Sequence, residues 1–181
     1  MQPHSEETHM ADMDNDPQQD LSGGQAIEQL REIVMDANTS MLVTQLDKFP
    51  FDARPMAAQA VEADGTIWMI SAADSDKNRD LERDPRFTLM VQNIKKYEFA
   101  QVYGHATIHR DRALIEKYWS PVANAWFEGK DDPRVSLLAL HPEAGRYWAT
   151  RNGKIVTSIR MLLSAAGAKI DEGGVHGQLR L

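Results

Sequence analysis

The chain has no cysteine, which excludes a disulfide framework, a thiolate nucleophile and a thiolate metal site. No stretch approaches the roughly 18 apolar residues of a membrane span, and the first twenty residues lack the basic and apolar regions of a signal peptide. A soluble cytoplasmic protein with no membrane partner is expected. Basic excess is missing as well: 20 Lys and Arg stand against 27 Asp and Glu, for a net charge of −7. Six of the acids (Glu6, Glu7, Asp12, Asp14, Asp16, Asp20) lie within residues 1–20, where there is no Lys or Arg, so the remainder is nearly neutral at 21 acids against 20 bases. Binding along a nucleic-acid duplex needs clustered cations on one face, so nucleic acid is not an expected partner. Gly-x-Ser-x-Gly, His-Glu-x-x-His and Gly-x-Gly-x-x-Gly are all absent, which leaves hydrolase and dinucleotide-fold readings without support.

What is present suits one ordinary globular domain, with 42% hydrophobic and 26% charged residues. Residues 1–20 have almost nothing to bury, so they read as a disordered acidic tail before a domain over 21–181. From Gly24, the positions Ile27, Leu30, Ile33, Val34 and Ala37 recur at helical spacing, with Asn38 as the stop. Strand texture follows at Ser40–Leu46, Pro55–Val61 and Thr66–Ser71, and Asp64-Gly65 between the last two is a hairpin signal because Gly accepts the positive φ of a tight turn. A short helix over Asp74–Asp84 and strands at Arg86–Gln92 and Tyr97–Ile108 come next. Leu114, Ile115 and Tyr118 mark a helix that Pro121 ends. A Trp-rich loop then runs to Pro133, followed by strand character over Arg134–Thr150 and a helix over Lys154–Ala166 that Gly167 stops. About six antiparallel strands with flanking helices predict a mainly β, α+β fold closing into a small barrel, since hairpins stand where a parallel sheet would need crossovers.

Three segments carry chemistry. Arg54-Pro55-Met56 opens a strand, where Pro is tolerated and Arg54 is left at the rim; alone it is equally an exposed Arg before an edge strand. Ser75-x-Lys77 opens the short helix, where backbone N–H groups, a hydroxyl and a cation make a phosphate cradle; the bland alternative is a capped helix with solvated charges, and Asp74, Asp76 and Asp80 would repel a phosphate they faced. Trp119-Ser120-Pro121 through Trp126-Phe127 to Asp132-Pro133 places two indoles in one loop, where they must fill a core, an interface or a ring-binding slot. His105 and His109 have helical ligand spacing but sit in strand texture, where four residues span about 13 Å, so they cannot share an ion, and no metal is expected. His141 and His176 have no evident partner in the sequence.

In order, Arg54-Pro55-Met56, Ile67-Trp68-Met69-Ile70-Ser71, Ser75-x-Lys77-x-x-x-Leu81 and Tyr103-Gly104-x-Ala106 resemble the pyridoxamine 5′-phosphate oxidase-like split β-barrel superfamily. Trp119-x-Pro121, Trp126-Phe127, Gly129, Asp132-Pro133 and Tyr147-Trp148 resemble its bacterial general stress protein branch. The resemblance implies an FMN-binding split β-barrel and a homodimer with FMN in two interfacial clefts. Arg54 and Lys77 match the phosphate-contacting positions, with Ser75 as a hydroxyl donor. Pro55, Met56 and Ala57 would run along one side of the isoalloxazine and Trp68, Met69, Ile70 and Ser71 along the other, while Trp126 and, with less support, Trp148 would close the ring edge. The basic C-terminal motif of the vitamin B6 oxidases is missing, so that activity is not expected, and Pro55 removes a backbone donor the oxidases keep. No residue stands out as a catalytic acid or base. A flavin-dependent oxidoreductase, a non-enzymatic flavin-sequestering, carrying or sensing protein, and an interaction module using the Trp-rich loop all remain open.

Overall fold

The computed structural model describes residues 18–150 and 174–181. A two-residue strand β1 (Leu21–Ser22) leads into helix α1 (Gly23–Ala37), whose Ala26, Leu30, Ile33 and Val34 form the buried stripe. Asn38 ends the helix with φ of 62°, a left-handed conformation that Asn adopts more readily than most residues. Strands β2 (Ser40–Thr44), β3 (Asp52–Met56), β4 (Ala58–Val61) and β5 (Ile67–Ala72) follow, then helix α2 (Asp76–Arg83). Strands β6 (Arg86–Asn93) and β7 (Glu98–His109), helix α3 (Arg112–Tyr118) and a 3₁₀ turn (Pro121–Ala125) precede the long strand β8 (Val135–Thr150) and the last strand β9 (Gly174–Arg180).

Nine strands pair into one sheet, ordered β1-β9-β8-β7-β6-β2-β3, with β4 and β5 branching from β8. The branch arises because β8 exchanges partners along its length. Its first half pairs with β5, from Ala72↔Val135 to Ile67↔Leu140, and its second half pairs with β9, from Ala144↔Arg180 to Thr150↔Gly174. β7 accompanies both halves, with a register shift between Tyr103 and Gly104 where the exchange occurs. A Cβ on Gly104 would lie 2.0 Å from the His141 carbonyl oxygen, so only glycine lets the two strands approach there. This is the split β-barrel expected, with an α+β element content.

The strands differ from those expected for three physical reasons. The segment Pro55–Val61 is two strands, since β3 pairs with β2 while β4 turns away at Ala57 to pair with β5. The strand from Ser40 stops at Thr44, because Gln45 takes φ of 51°. The Gly-rich C-terminus, read as a tail, forms β9, whose Leu179 is fully buried. Residues 18–20, assigned to the acidic tail, are described and docked: Gln19 N donates to His176 O at 2.7 Å, Tyr147 Oη to Gln19 O at 2.7 Å, and Gln178 N to Asp20 Oδ1 at 3.0 Å. The helix expected over Lys154–Ala166 lies outside the described residues.

Two cores result. The main one joins α1 to the barrel interior through Leu30, Ile33, Leu42, Phe87, Leu89, Leu138, Leu140 and Tyr147. A second lies between α3 and the opposite face of β5 and β8, where Trp68 stacks on Tyr118 with ring centroids 4.5 Å apart, joined by Ile115, Phe127 and Leu137. Among the described residues no helix is long and apolar enough to cross a membrane.

Candidate functional site

A cleft of about 390 Å³ opens where the β3–β4 break, the end of β5, the start of α2 and the Trp-rich loop meet. Such a volume falls within the range of small-molecule sites, and the lining has the usual apolar character with a few convergent polar groups. Arg54, Pro55, Met56 and Ala57 form one wall; Ile70, Ser71 and Lys77 form another; Ser120, Val122, Ala123, Trp126 and Phe127 supply the loop side. The break at Ala57 is what makes the wall, since it turns the chain from one sheet partner to the other at the cleft's edge.

Arg54 is held from below. Its Nη1 donates to Thr44 Oγ1 at 2.6 Å, and Nη2 lies 3.5 Å from Asp80 Oδ2. Thr44 in turn donates to Asp80 Oδ2 at 2.8 Å, and the Gln45 side-chain amide donates to Oδ1. Asp80 is 4% exposed and belongs to α2, so its charge sits beneath Arg54. The expectation that Asp80 would oppose an anion is replaced by a different role: it positions and partly neutralises Arg54. Asp74 and Asp76 are exposed.

Lys77 is different. It is half-buried in the cleft and has no hydrogen-bond or ion-pair partner among the described residues. Burial pushes its ammonium below the ordinary lysine range, and the charge of Arg54 pushes it further, against weaker support from Asp74 and Asp76. An anion placed there would meet two cations, one of them partly desolvated.

A buried polar network ties α2 to β5 and β8 and so fixes Lys77. Ser71 Oγ donates to Asn78 Oδ1 at 2.6 Å, Asn78 Nδ2 to Ser136 Oγ at 3.0 Å, and Ser136 Oγ to Ser71 O at 3.0 Å. Across the cleft, Asp132 holds the loop by accepting from Glu128 N at 3.1 Å, Arg134 N at 2.9 Å and Arg134 Nη2 at 2.6 Å, which keeps its carboxyl well below the usual carboxylate range. The loop buries Phe127 and leaves Trp126 68% exposed at the rim.

Eight of the twelve residues singled out in the sequence therefore share this cleft: Arg54, Pro55, Met56, Ala57, Ile70, Ser71, Lys77 and Trp126. Four do not line it. Ser75 stands at the N-cap of α2 with its hydroxyl donating to Ala72 O at 2.6 Å. Met69 faces the main core, as strand alternation requires of a neighbour of Ile70, while Trp68, on the same face as Ile70, is buried in the second core. Trp148 lies on the far half of β8, in a separate shallow pocket of about 210 Å³ with Arg146, His176 and Gln178. Gln59, Val122 and Phe127 line the cleft without having been singled out for it; the two loop residues were signalled by the Trp-rich segment, whereas nothing in the sequence marks Gln59.

A branched sheet that leaves a cleft between its β3–β4 break and a Trp-rich loop, with a desolvated cation inside, defines the split β-barrel class and marks the cleft as its candidate site. The family described as pyridoxamine 5′-phosphate oxidase like matches residues 25–171, and the chain belongs to it. It is similar to General stress protein 26 of Bacillus subtilis strain 168, 28% identical over 81 residues that make up 43% of this chain and 58% of that one. Among solved structures, a general stress protein 26 candidate from Jannaschia sp. CCS1 matches with a TM-score of 0.72 at 22% identity, over 88% of this chain and 100% of that one. The general stress FMN/FAD binding protein from Xanthomonas citri matches with a TM-score of 0.59 at 26% identity, over 68% of this chain and 87% of that one.

Proposed function

We propose that this chain is an FMN-binding general stress protein that holds its ligand in clefts between two copies of itself. The observation that carries the reading is Lys77, a half-buried cation without a hydrogen-bond or ion-pair partner among the described residues, placed beside Arg54 in a cleft whose other walls are largely apolar. A ligand that satisfies both features joins a phosphate to a flat, largely apolar ring, and the printed name of the Xanthomonas citri protein, a general stress FMN/FAD binding protein, supports a flavin. Lys77 and Arg54 would take the phosphate, with Met56, Ala57 and Ile70 against the ring. Trp126 and Val122, exposed by 68% and 69% beside the cleft, are large apolar groups that a second copy would cover.

Bound flavin supplies electron- or hydride-transfer chemistry, and the protein supplies orientation and electrostatics. Among the described residues no Asp, Glu or His lines the cleft, and the part of the residues that do line it is to bind the ligand and exclude water. The test is an absorption spectrum of the freshly purified protein, followed by titration with FMN and riboflavin and by sedimentation. Yellow protein of dimeric mass that prefers FMN supports the reading; colourless protein that takes up neither ligand overturns it.

A further inference from the structure

Three histidines come together where β7 and β8 shift register. His105 and His109 lie on one face of β7, too far apart along the strand to share an ion. The register shift places His141 of β8 directly opposite His105, with ring centroids 5.0 Å apart. His141 Nε2 is 3.2 Å from Thr107 Oγ1, and His109 Nε2 is 2.8 Å from the same oxygen. Two imidazole nitrogens from two strands thus converge on one hydroxyl.

Two further ring nitrogens have oxygen partners. His105 Nδ1 is 3.0 Å from Glu143 Oε1, and His141 Nδ1 is 3.3 Å from Thr66 Oγ1. With the proton on Nδ1 donated to those oxygens, Nε2 of both rings keeps its lone pair, the arrangement by which an outer oxygen orients a metal-binding histidine.

Among the described residues no three His, Cys, Asp or Glu side chains already surround one point, so the ready donors are two imidazoles and a hydroxyl. We propose that His109 and His141 chelate a divalent transition-metal ion of the zinc class, with water completing the shell. Imidazole nitrogen suits zinc, copper(II) and nickel, whereas calcium and magnesium require a set of oxygen ligands that is not assembled here. None of these residues lines the cleft, so the site stands whether or not a flavin binds.

Calorimetric titration of zinc chloride into the full chain, stripped of metal and held at pH 7.5, tests this. One ion per chain with a micromolar Kd is expected. His109→Asn and His141→Asn should each weaken it at least tenfold. Thr66→Val, which removes the oxygen beside His141 Nδ1 rather than a ligand, should weaken it by about tenfold, the low end of outer-sphere effects. His4→Asn combined with His9→Asn should leave it unchanged. Thermal unfolding of the metal-free variants, expected to match the parent, checks the fold, and if His141→Asn fails that check then His109→Asn decides. Binding no tighter than millimolar, binding unaffected by both single variants, or binding lost in the His4/His9 variant overturns the proposal.

Discussion

Arg54 and Asp80 face each other across 3.5 Å, one on an edge strand and the other on the helix that carries Lys77, so the cleft's two cations are unequal. One is paired with a carboxylate, and the other has no ion-pair partner among the described residues. Removing Asp80 should expose how much of the fold depends on the first pair. Asp80→Ala leaves the guanidinium, the Thr44 hydroxyl and the Gln45 amide short of an acceptor in a largely buried setting, and should cost about 3 kcal/mol in denaturant unfolding, the scale of breaking a buried pair. A loss under about 0.5 kcal/mol, as for an exposed pair, would show that the network does not hold the strand to the helix.

Lys77→Met should separate phosphate from ring recognition. A charge-assisted hydrogen bond contributes roughly 1.5–3 kcal/mol, so FMN binding should weaken about tenfold to a hundredfold while riboflavin, which has no phosphate, is unaffected. Equal losses for both ligands, read by flavin fluorescence, would mean that Lys77 does not touch the phosphate.

The same lysine sets a pH dependence. Its pKa in the fold lies below its unfolded value, so the ligand-free protein binds fewer protons than the unfolded chain between the two and gains stability as pH rises through that interval. Ligand binding runs the other way, because a phosphate needs the charged ammonium. The preference for FMN over riboflavin should therefore fall as pH rises through the depressed Lys77 pKa, at lower pH than the ordinary lysine value of about 10.4, and the Lys77→Met protein should show no such change.

Residues 18–20 should matter where the rest of the N-terminus does not. A chain starting at residue 18 should match the full-length stability, whereas one starting at residue 21 loses the contacts of Gln19 with His176 and Tyr147 and of Asp20 with Gln178. The difference between the two truncations should be about 1–3 kcal/mol by thermal unfolding, mainly from leaving Tyr147 Oη, largely buried, without its acceptor. Identical stability would show that these contacts carry no weight.

The fold was legible wherever a local rule decided it. The stripe Leu30, Ile33 and Val34 announces α1, Asp64-Gly65 announces the β4–β5 hairpin, and Pro121 ends α3. Long-range partner choice was hidden. That β3 and β4 are separate strands depends on which neighbours they find, and β9 depends on its burial of Leu179 and on a close approach at Gly177, where a Cβ would lie 1.9 Å from Gln19 O. At the cleft, Arg54, Lys77 and Trp126 were visible because charge and aromatic surface in turn-rich segments are conspicuous. Asp80 was misjudged because spacing along a helix does not say which carboxylate is buried beneath a partner. The three histidines were legible only in part, since the register shift that sets His141 opposite His105 has no signature in either strand alone.

Pro55 lies within β3, the strand at the end of the pairing order. It has no amide proton to offer, so another chain laid alongside that margin would find a gap in the row of donors needed to zip on. Sheet growth from copy to copy is thereby discouraged along β3, which guards that margin against fibrillar stacking.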